Sequence, residues 1–258
     1  MTRWRASSGT WWPGDGGGLV GLIFALTLRQ LSGKWRLLII VLLAALPLLP
    51  AIISVLVNEP TSSQHFDDEL FNGMLVSAIL PIVVLAVATA SLGNELEDKT
   101  LAFLVLNPLP RWKIVLPKFL ASIVVVGPLL VVSGFVSTYI ALEGDGHAAA
   151  AVAIALLAGV LAYASVFLWA GLMTSRALAF GLLYVFLWEG LFSNFVSGIK
   201  NLSIREYTIG IARVVDDGRF AGPGQDTVGT ATAIGGVVIV LVVFLLLSVR
   251  RLQRMDVP

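Results

Sequence analysis

The apolar residues of this sequence are gathered into blocks of about twenty, and no other feature constrains the fold as strongly. A helix needs about 20 apolar residues to cross roughly 30 Å of hydrocarbon, because it rises about 1.5 Å per residue. The blocks lie at about 37–57, 73–93, 119–142, 148–173, 177–196 and 229–249. The sequence therefore predicts an all-α membrane protein with six transmembrane helices.

Composition excludes several classes of function. Hydrophobic residues make up 57% of the chain and charged residues only 13%, about half the charged share of an ordinary soluble domain, so a soluble monomer is excluded. The absence of cysteine removes disulfides, thiol catalysis and thiolate metal sites. A net charge of +1 gives no indication of a nucleic-acid partner, and we expect none.

The amino-terminal region predicts a tail followed by an interfacial helix. Residues 1–18 are rich in Trp and Gly without helical periodicity, so we expect a flexible tail there and a single transmembrane domain over 19–258. An apolar stripe then recurs every three or four residues, with Thr27 off the stripe. Its members are Val20, Phe24, Leu28, Leu31 and Trp35. This pattern is typical of an amphipathic helix lying at the membrane surface.

Two other patterns predict how the spans are shaped and packed. Pro47 and Pro50 fall inside the first span, so we expect that span to be kinked. Span four carries Ala151, Ala155 and Gly159 at four-residue spacing, which lets helix backbones approach closely. Packing within the chain is the most common use of such a pattern.

The distribution of basic residues predicts the orientation. Six spans place both termini on one side, and 13 of the 17 basic residues fall on that side. The other four lie in the 197–228 loop: Lys200, Arg205, Arg213 and Arg219. The loop at 58–72 is acidic and has no Lys or Arg. The positive-inside rule then places both termini in the cytoplasm. Apolar residues in the long loop predict short helices lying at the outer surface; they are Ile204, Ile209, Ile211 and Val214.

No motif predicts an enzyme in this chain. The pattern GxxxxGK[ST] is absent, so the P-loop route of ATP hydrolysis requires another chain. His65 and His147 are both expected in outer loops, which argues against an intramembrane Ser-His protease. Acidic residues near these histidines suggest a divalent-ion site, but their spacing fixes no ligand geometry. We therefore assign no metal.

Span five places a carboxylate, Glu189, at membrane depth beside Trp188 and near Tyr184. Such a group costs several kcal/mol unless it is paired or hydrated, so it faces protein or water. Glu189 is either a pathway or gating residue or a carboxylate held near the outer interface. Aromatic residues on spans four and five either line a path for an amphipathic substrate or form an interfacial belt, and the belt is the more common arrangement. They are Tyr163, Phe167, Trp169, Tyr184, Phe186 and Trp188.

The strongest local signal follows span two, on the predicted cytoplasmic side. Glu95, Glu97 and Asp98 are acidic residues on a side that is otherwise basic. They precede a short apolar helix over 100–106, containing Thr100, Leu101, Phe103 and Leu104, which ends at the turn of Pro108 and Pro110. An exposed apolar helix in the cytoplasm implies a protein partner.

This stretch resembles the ABC-2 type permeases, the membrane subunits of ATP-binding cassette exporters. The pattern Glu-x-Glu-x-x-Thr-Leu, a Pro-containing turn, a basic residue and a Lys opening span three stands here as Glu95, Glu97, Thr100, Leu101, Pro108, Arg111 and Lys118. Lys99 replaces the Gly of the family pattern, and the turn reads Pro-Leu-Pro. The resemblance extends over nearly the whole chain, from the amino-terminal helix to span six.

The resemblance implies a set of partners and contacts. The permease pairs with a second permease subunit, identical or similar, in the lipid of a bacterial or archaeal plasma membrane, and a separate ATPase subunit binds ATP and Mg²⁺. The helix after span two and the interfacial helix contact that ATPase. The implied contact residues are Glu95, Glu97, Asp98, Thr100, Leu101, Phe103, Leu104, Pro108, Arg111 and Trp112, with Leu28, Leu31 and Trp35 on the interfacial helix.

Export through a permease subunit is thus the predicted function, and two alternatives stay open. One is a secondary transporter or channel that works alone with Glu189 as its ion site, although the two halves of the chain show no convincing repeat. The other is an ABC-type subunit that uses ATP-driven motion for signalling and carries no cargo. The substrate does not follow from the sequence.

Overall fold

The computed structural model describes residues 16–57, 66–97, 110–174, 176–187, 202–216, 220 and 228–254. Every regular element in these ranges is a helix. In chain order they are α1 (Gly16–Leu31), α2 (Lys34–Ala45), α3 (Leu48–Leu56), α4 (Phe66–Ile79), α5 (Leu80–Glu97), α6 (Trp112–Ala141), α7 (Gly146–Met173), α8 (Ala177–Tyr184), α9 (Ile204–Val215) and α10 (Thr230–Gln253). The predicted all-α class is confirmed.

Among the described residues, four helical segments are long and apolar enough to cross a membrane. They are Leu70–Gly93, Trp112–Ala141, Gly146–Met173 and Thr230–Gln253. A bent pair, α2 with α3, makes a fifth if the two helices are counted as one span. The predicted span at 177–196 is described only as the shorter apolar helix Ala177–Leu187, and its second half lies outside the described residues.

The first span is kinked, as its prolines predict. Helices α2 and α3 meet at an angle of 41°, and Pro47 is the residue that precedes α3. Proline has no N–H to continue the helical ladder, and its ring clashes with the preceding turn. At the junction, the Leu49 N–H instead donates to the Leu46 carbonyl oxygen three residues earlier, at 3.2 Å, as in a 3₁₀ turn.

The second span begins earlier than expected, and its first part is a π-helix, which is wider than an α-helix. Helix α4 is a 14-residue π-helix that starts at Phe66, so the predicted outer loop at 58–72 is shorter than we expected. The Ser77 hydroxyl donates to the Asn72 carbonyl oxygen five residues back, at 2.5 Å. Helix α5 continues the span to Glu97.

A tight turn joins α6 to α7. Glu143 and Gly144 have φ angles of 53° and 95°, a left-handed region that suits Gly and costs other residues free energy. The Asp145 carboxylate caps α7 by accepting from the backbone N–H groups of His147 and Ala148, at 3.0 and 3.1 Å. These two features reverse the chain within four residues.

Helix α7 is the centre of the bundle, with α5, α6, α9 and α10 packed around it. Ala151, Ala155 and Gly159 are buried, which confirms the prediction that the small residues serve packing within the chain. At Gly159 a Cβ atom would lie 2.6 Å from the Leu80 side chain and 2.8 Å from the Thr208 hydroxyl. A side chain at this position would require Leu80 and Thr208 to shift, so Gly159 favours the close approach of α5, α7 and α9.

Helix α1 packs against α6 through a face that differs in part from the predicted stripe. Leu31 is fully buried, and Phe24 and Leu28 pack against the core, as expected. Thr27 was assigned away from the stripe and that assignment is wrong, since it is only 2% exposed. Its hydroxyl donates to the Ile23 carbonyl, at 2.8 Å, so its burial leaves no unpaired donor. Trp35 is 82% exposed because a turn ends α1 at Leu31 and places Trp35 on α2.

Helix α9 is one short helix of the long loop, as predicted, and it packs within the bundle. Its placement at the outer surface of the membrane stays a prediction. Seven of its 12 residues are buried. A Cβ atom at Gly210 would lie 2.8 Å from the Ala233 Cβ on α10. At Gly236 a Cβ atom would lie 2.5 Å from the Tyr207 ring, so that ring packs directly on the α10 backbone.

The basic residues of α9 explain why its burial was not predicted. Arg205 donates through Nε and Nη2 to the Asn72 side-chain oxygen, at 3.0 and 2.7 Å. Arg213 donates through Nε to the Phe220 carbonyl oxygen, at 2.5 Å. These cations are therefore satisfied by protein groups, and they do not mark a face that must lie in water.

Candidate functional site

Lys118 is a buried cation at one end of the bundle. Here α5 ends, α6 begins and α7 ends, and we call this region the motif end because the acidic motif follows α5. Lys118 lies six residues, about 9 Å, into α6 and is 1% exposed. Its Nζ donates to the Ser91 carbonyl oxygen on α5, at 2.8 Å. A charged donor to a buried carbonyl contributes more than a neutral one, so α6 is held to the last turns of α5.

A close backbone contact joins α5 to α7 at the same level. At Gly171, on α7, a Cβ atom would lie 2.9 Å from the Thr89 carbonyl oxygen and 3.5 Å from the Gly93 backbone nitrogen. Both neighbours are backbone atoms, which no side-chain rotation can move. Lys118 and Gly171 thus fix residues 89–93 between α6 and α7. The segment that follows is the predicted motif for contact with an ATPase.

The predicted contact residues are only partly within the described residues. Glu95 and Glu97 form the last turn of α5, and their side chains are not described. Arg111 immediately precedes α6, and Trp112 is its first residue and 51% exposed. The Lys113 Nζ lies 5.7 Å from the centre of the Trp112 ring. The others lie outside the described residues: Asp98, Thr100, Leu101, Phe103, Leu104 and Pro108.

The interfacial-helix residues divide between two environments. Leu31 is fully buried and Leu28 is partly buried against the core, so both pack within this chain. Trp35 is free to meet a membrane or another protein because it is 82% exposed. The contact of these residues with an ATPase stays a prediction.

An aromatic cavity of about 740 Å³ lies between α7, α8, α9 and α10. This is within the usual range of about 300–1,000 Å³ for small-molecule sites. Its lining residues are Val166, Phe167, Trp169, Ala170, Phe180, Gly181, Tyr184, Leu202, Ile204, Tyr207, Gly236, Ile239, Val240 and Phe244. None of these described residues carries a charge at neutral pH. The Trp169 and Phe244 rings meet edge to face, with their centres 5.5 Å apart.

The aromatic cavity opens sideways, away from the core. Phe180, Leu202 and Ile239 line it and are 59%, 64% and 64% exposed. On α10 the cavity extends from Gly236 to Phe244, or about 9 to 21 Å from the first residue of a helix about 35 Å long. The opening therefore faces the middle of a candidate transmembrane span.

The candidate pathway residues are only partly resolved by these observations. Tyr184 lines the aromatic cavity, whereas Trp188 and Glu189 lie outside the described residues. Phe167 and Trp169 also line the cavity, and Tyr163 stacks beneath Phe167 with ring centres 5.6 Å apart. Tyr163 and Phe167 are buried and do not form an interfacial belt, whereas for Trp169 and the other aromatic residues the belt stays a prediction.

The opposite end of the bundle ties α9 to α7. The Nδ1 atom of His147 lies 3.3 Å from an Asp216 carboxylate oxygen. Within the part of the chain that is described, no three His, Cys, Asp or Glu side chains come together as a candidate metal site. The side chains of 58–69 fall outside that part.

The sequence did not predict three features of the motif end and the aromatic cavity. Lys118 was noted as a motif residue but not as a buried donor, although an ionisable residue inside an apolar helix is a recognised signal of function. Gly171 gave no usable signal because its role depends on a contact with another helix. Tyr207 was overlooked because α9 was placed on the surface.

The family model described as "ABC-2 family transporter protein" matches residues 25–257, nearly the whole chain. The comparison with curated proteins finds no match. The match covers all of the described candidate spans, including the parts of α5, α6 and α7 that form the motif end. This chain therefore belongs to the ABC-2 family of membrane transporter proteins.

Proposed function

We propose that this chain is the permease subunit of an ABC exporter and that a separate ATPase subunit drives it. Family membership supports the permease role, and the absence of a P-loop pattern means that the energy of ATP must come from another chain. ATP and Mg²⁺ bind to that ATPase. A second permease subunit, identical or similar, completes the translocation path in the membrane.

The observation that carries the coupling step is the bond from Lys118 to Ser91 at the motif end. With the Gly171 contact, it joins the last turns of α5 to α6 and α7. A force applied to the segment after Glu97 is then transmitted to three helices rather than absorbed by one fraying helix end. Closure of the ATPase subunits would in this way shift the permease pair from inward-open to outward-open. Transport follows only for substrates whose affinity differs between the two states.

Substitutions at the motif test its proposed contact with the ATPase. Replacing Glu97 and Asp98 with Ala, or breaking the following helix with Leu104→Pro, should uncouple transport or prevent assembly with the ATPase while membrane insertion is kept. Glu143→Asn is the matched control, because it removes a carboxylate at the other end of the bundle and Asn tolerates the φ of 53° found there. Unchanged transport in both motif variants would overturn the coupling proposal.

Lys118 requires a different variant because it acts through α5. Lys118→Met keeps an unbranched side chain of similar length but removes the donor to Ser91. We expect the complex to assemble and to hydrolyse ATP, with less substrate moved per ATP. Transport per ATP equal to that of the unmodified protein would exclude this role for Lys118.

Glu189 is tested separately. Glu189→Gln should alter transport or substrate-stimulated ATPase activity if this carboxylate gates the path. Unchanged kinetics would leave the carboxylate a structural role near the outer interface. Loss of ion-driven transport by this chain alone would instead favour a secondary transporter.

A further inference from the structure

We propose that the aromatic cavity binds one alkyl chain of a bilayer phospholipid, which enters sideways from the membrane. This site is formed within a single chain, by α7, α8, α9 and α10. Its occupancy does not depend on an ATPase or on a second permease subunit. The proposal therefore stands apart from the transport mechanism described above.

The chemistry of the walls selects the ligand. The side-chain polar atoms of the described lining are two Tyr hydroxyls and one Trp ring nitrogen, and the other side chains are apolar. A charged headgroup would lose its hydration there without gaining an ion pair, at a large cost. The headgroup must therefore stay outside, and only the apolar part of an amphiphile fits within.

The extent of the cavity along α10 favours a chain over a compact molecule. Between Gly236 and Phe244 the cavity follows α10 for about 12 Å. Because α10 is a candidate transmembrane helix, a chain lying against it would be roughly parallel to the surrounding acyl chains. Phe180 and Ile239 line the cavity from α8 and α10, and both are exposed. A neighbouring lipid can enter without crossing water.

Packing rather than the hydrophobic effect drives occupancy. An acyl chain is already in an apolar solvent, so its transfer into the cavity gains little from dehydration. An empty space of about 740 Å³ would leave the aromatic walls without contacts on one side. A chain that fills it restores those contacts, which include the faces of Phe167 and Trp169.

Trp169 provides the test, because bromine atoms on a lipid chain quench tryptophan fluorescence on contact. The chain has seven Trp residues, so we would keep Trp169 and replace the other six with Phe. This variant is reconstituted in phosphatidylcholine with brominated chains and, for reference, with ordinary chains. We expect strong quenching of Trp169 in the brominated bilayer. Absence of quenching would overturn the proposal.

A matched pair on α10 shows where the quenching chain lies. Val240 lines the aromatic cavity, and Val242 is 46% exposed and outside the lining. Val240→Phe should fill the cavity and remove most of the quenching, whereas Val242→Phe should leave it unchanged. Equal quenching in both would mean that lipid reaches Trp169 by another route, which contradicts the proposal.

The single-Trp background needs a check of its own. In the otherwise unmodified chain, the fluorescence lost on Trp169→Phe gives the Trp169 signal by difference. That difference signal should show the same quenching by brominated chains. A difference signal that is insensitive to bromine would contradict the proposal even if the single-Trp variant failed to fold.

Discussion

Gly171→Ala is predicted to force α5 and α7 apart at the motif end. The new Cβ would lie 2.9 Å from the Thr89 carbonyl oxygen and 3.3 Å from the Thr89 Cα. Favourable contacts between non-bonded heavy atoms begin at about 3.5 Å, so the helices must separate by about 0.6 Å. Because both atoms are backbone, the strain is relieved only by moving a helix. Overpacking of this kind costs about 1–3 kcal/mol.

Gly235→Ala is the matched control. Gly235 lies inside α10, and no heavy atom is within 4 Å of the position that its Cβ would take. Ala favours a helix interior by about 1 kcal/mol over Gly, and this gain applies equally to both variants. The difference between them is therefore the overpacking cost alone, about 1–3 kcal/mol.

The assay is the free energy of unfolding in mixed micelles, measured by SDS titration with helical circular dichroism. We expect Gly235→Ala to be slightly more stable than the unmodified protein and Gly171→Ala to be less stable than Gly235→Ala by the overpacking cost. If Gly171→Ala is as stable as Gly235→Ala, α5 and α7 do not meet as described, and the rigid motif end is refuted.

Three further substitutions test contacts elsewhere in the bundle by the same titration. Asp145→Ala should lose about 1 kcal/mol because the cap of α7 is removed, whereas Asp145→Asn should keep most of the stability; equal losses would show that the cap is not the cause. Arg205→Lys should destabilise by about 1–2 kcal/mol, since Lys cannot form the two-nitrogen contact with Asn72, and no change would exclude that contact. Ser133→Ala removes the hydroxyl donor to the Ala44 carbonyl on α2 and should cost about 0.6 kcal/mol; a stabilised variant would contradict the bond.

The long helices could be predicted from the sequence because membrane thickness sets their length. The apolar blocks at 148–173 and 229–249 correspond to α7 and α10 to within a few residues. Pro47 predicted the bend in the first span for a reason internal to one residue, its missing N–H. Features that depend on the residues of a single segment could therefore be predicted from the sequence.

Features that depend on contacts between helices could not be predicted from the sequence. Thr27 reads as polar, yet its hydroxyl is satisfied by its own helix and can be buried. Arg205 marks a solvent-facing helix only if it lacks a protein partner, and Asn72 is 133 residues away in the chain. The role of Gly171 is visible only when Thr89 is beside it. Periodicity gives no information about such pairings.

The aromatic cavity shows the same limit at the level of a site. Tyr184, Phe167 and Trp169 were recognised as path or belt residues, and both interpretations were consistent with aromatic spacing. The position of α9 adds Tyr207 to the same cavity, which neither interpretation anticipated. The burial of a loop helix within a bundle depends on its contacts with other helices, and hydropathy alone does not predict it.

The most direct test of the account is to purify this protein in mild detergent from its own membrane and to identify the accompanying chains by mass spectrometry, with ATPase activity measured on the same sample. The account predicts a stoichiometric companion that carries a GxxxxGK[ST] motif and hydrolyses ATP. If no such companion is found and vesicles containing this chain alone still transport, the chain is not a permease subunit driven by a separate ATPase, and the central claim is contradicted.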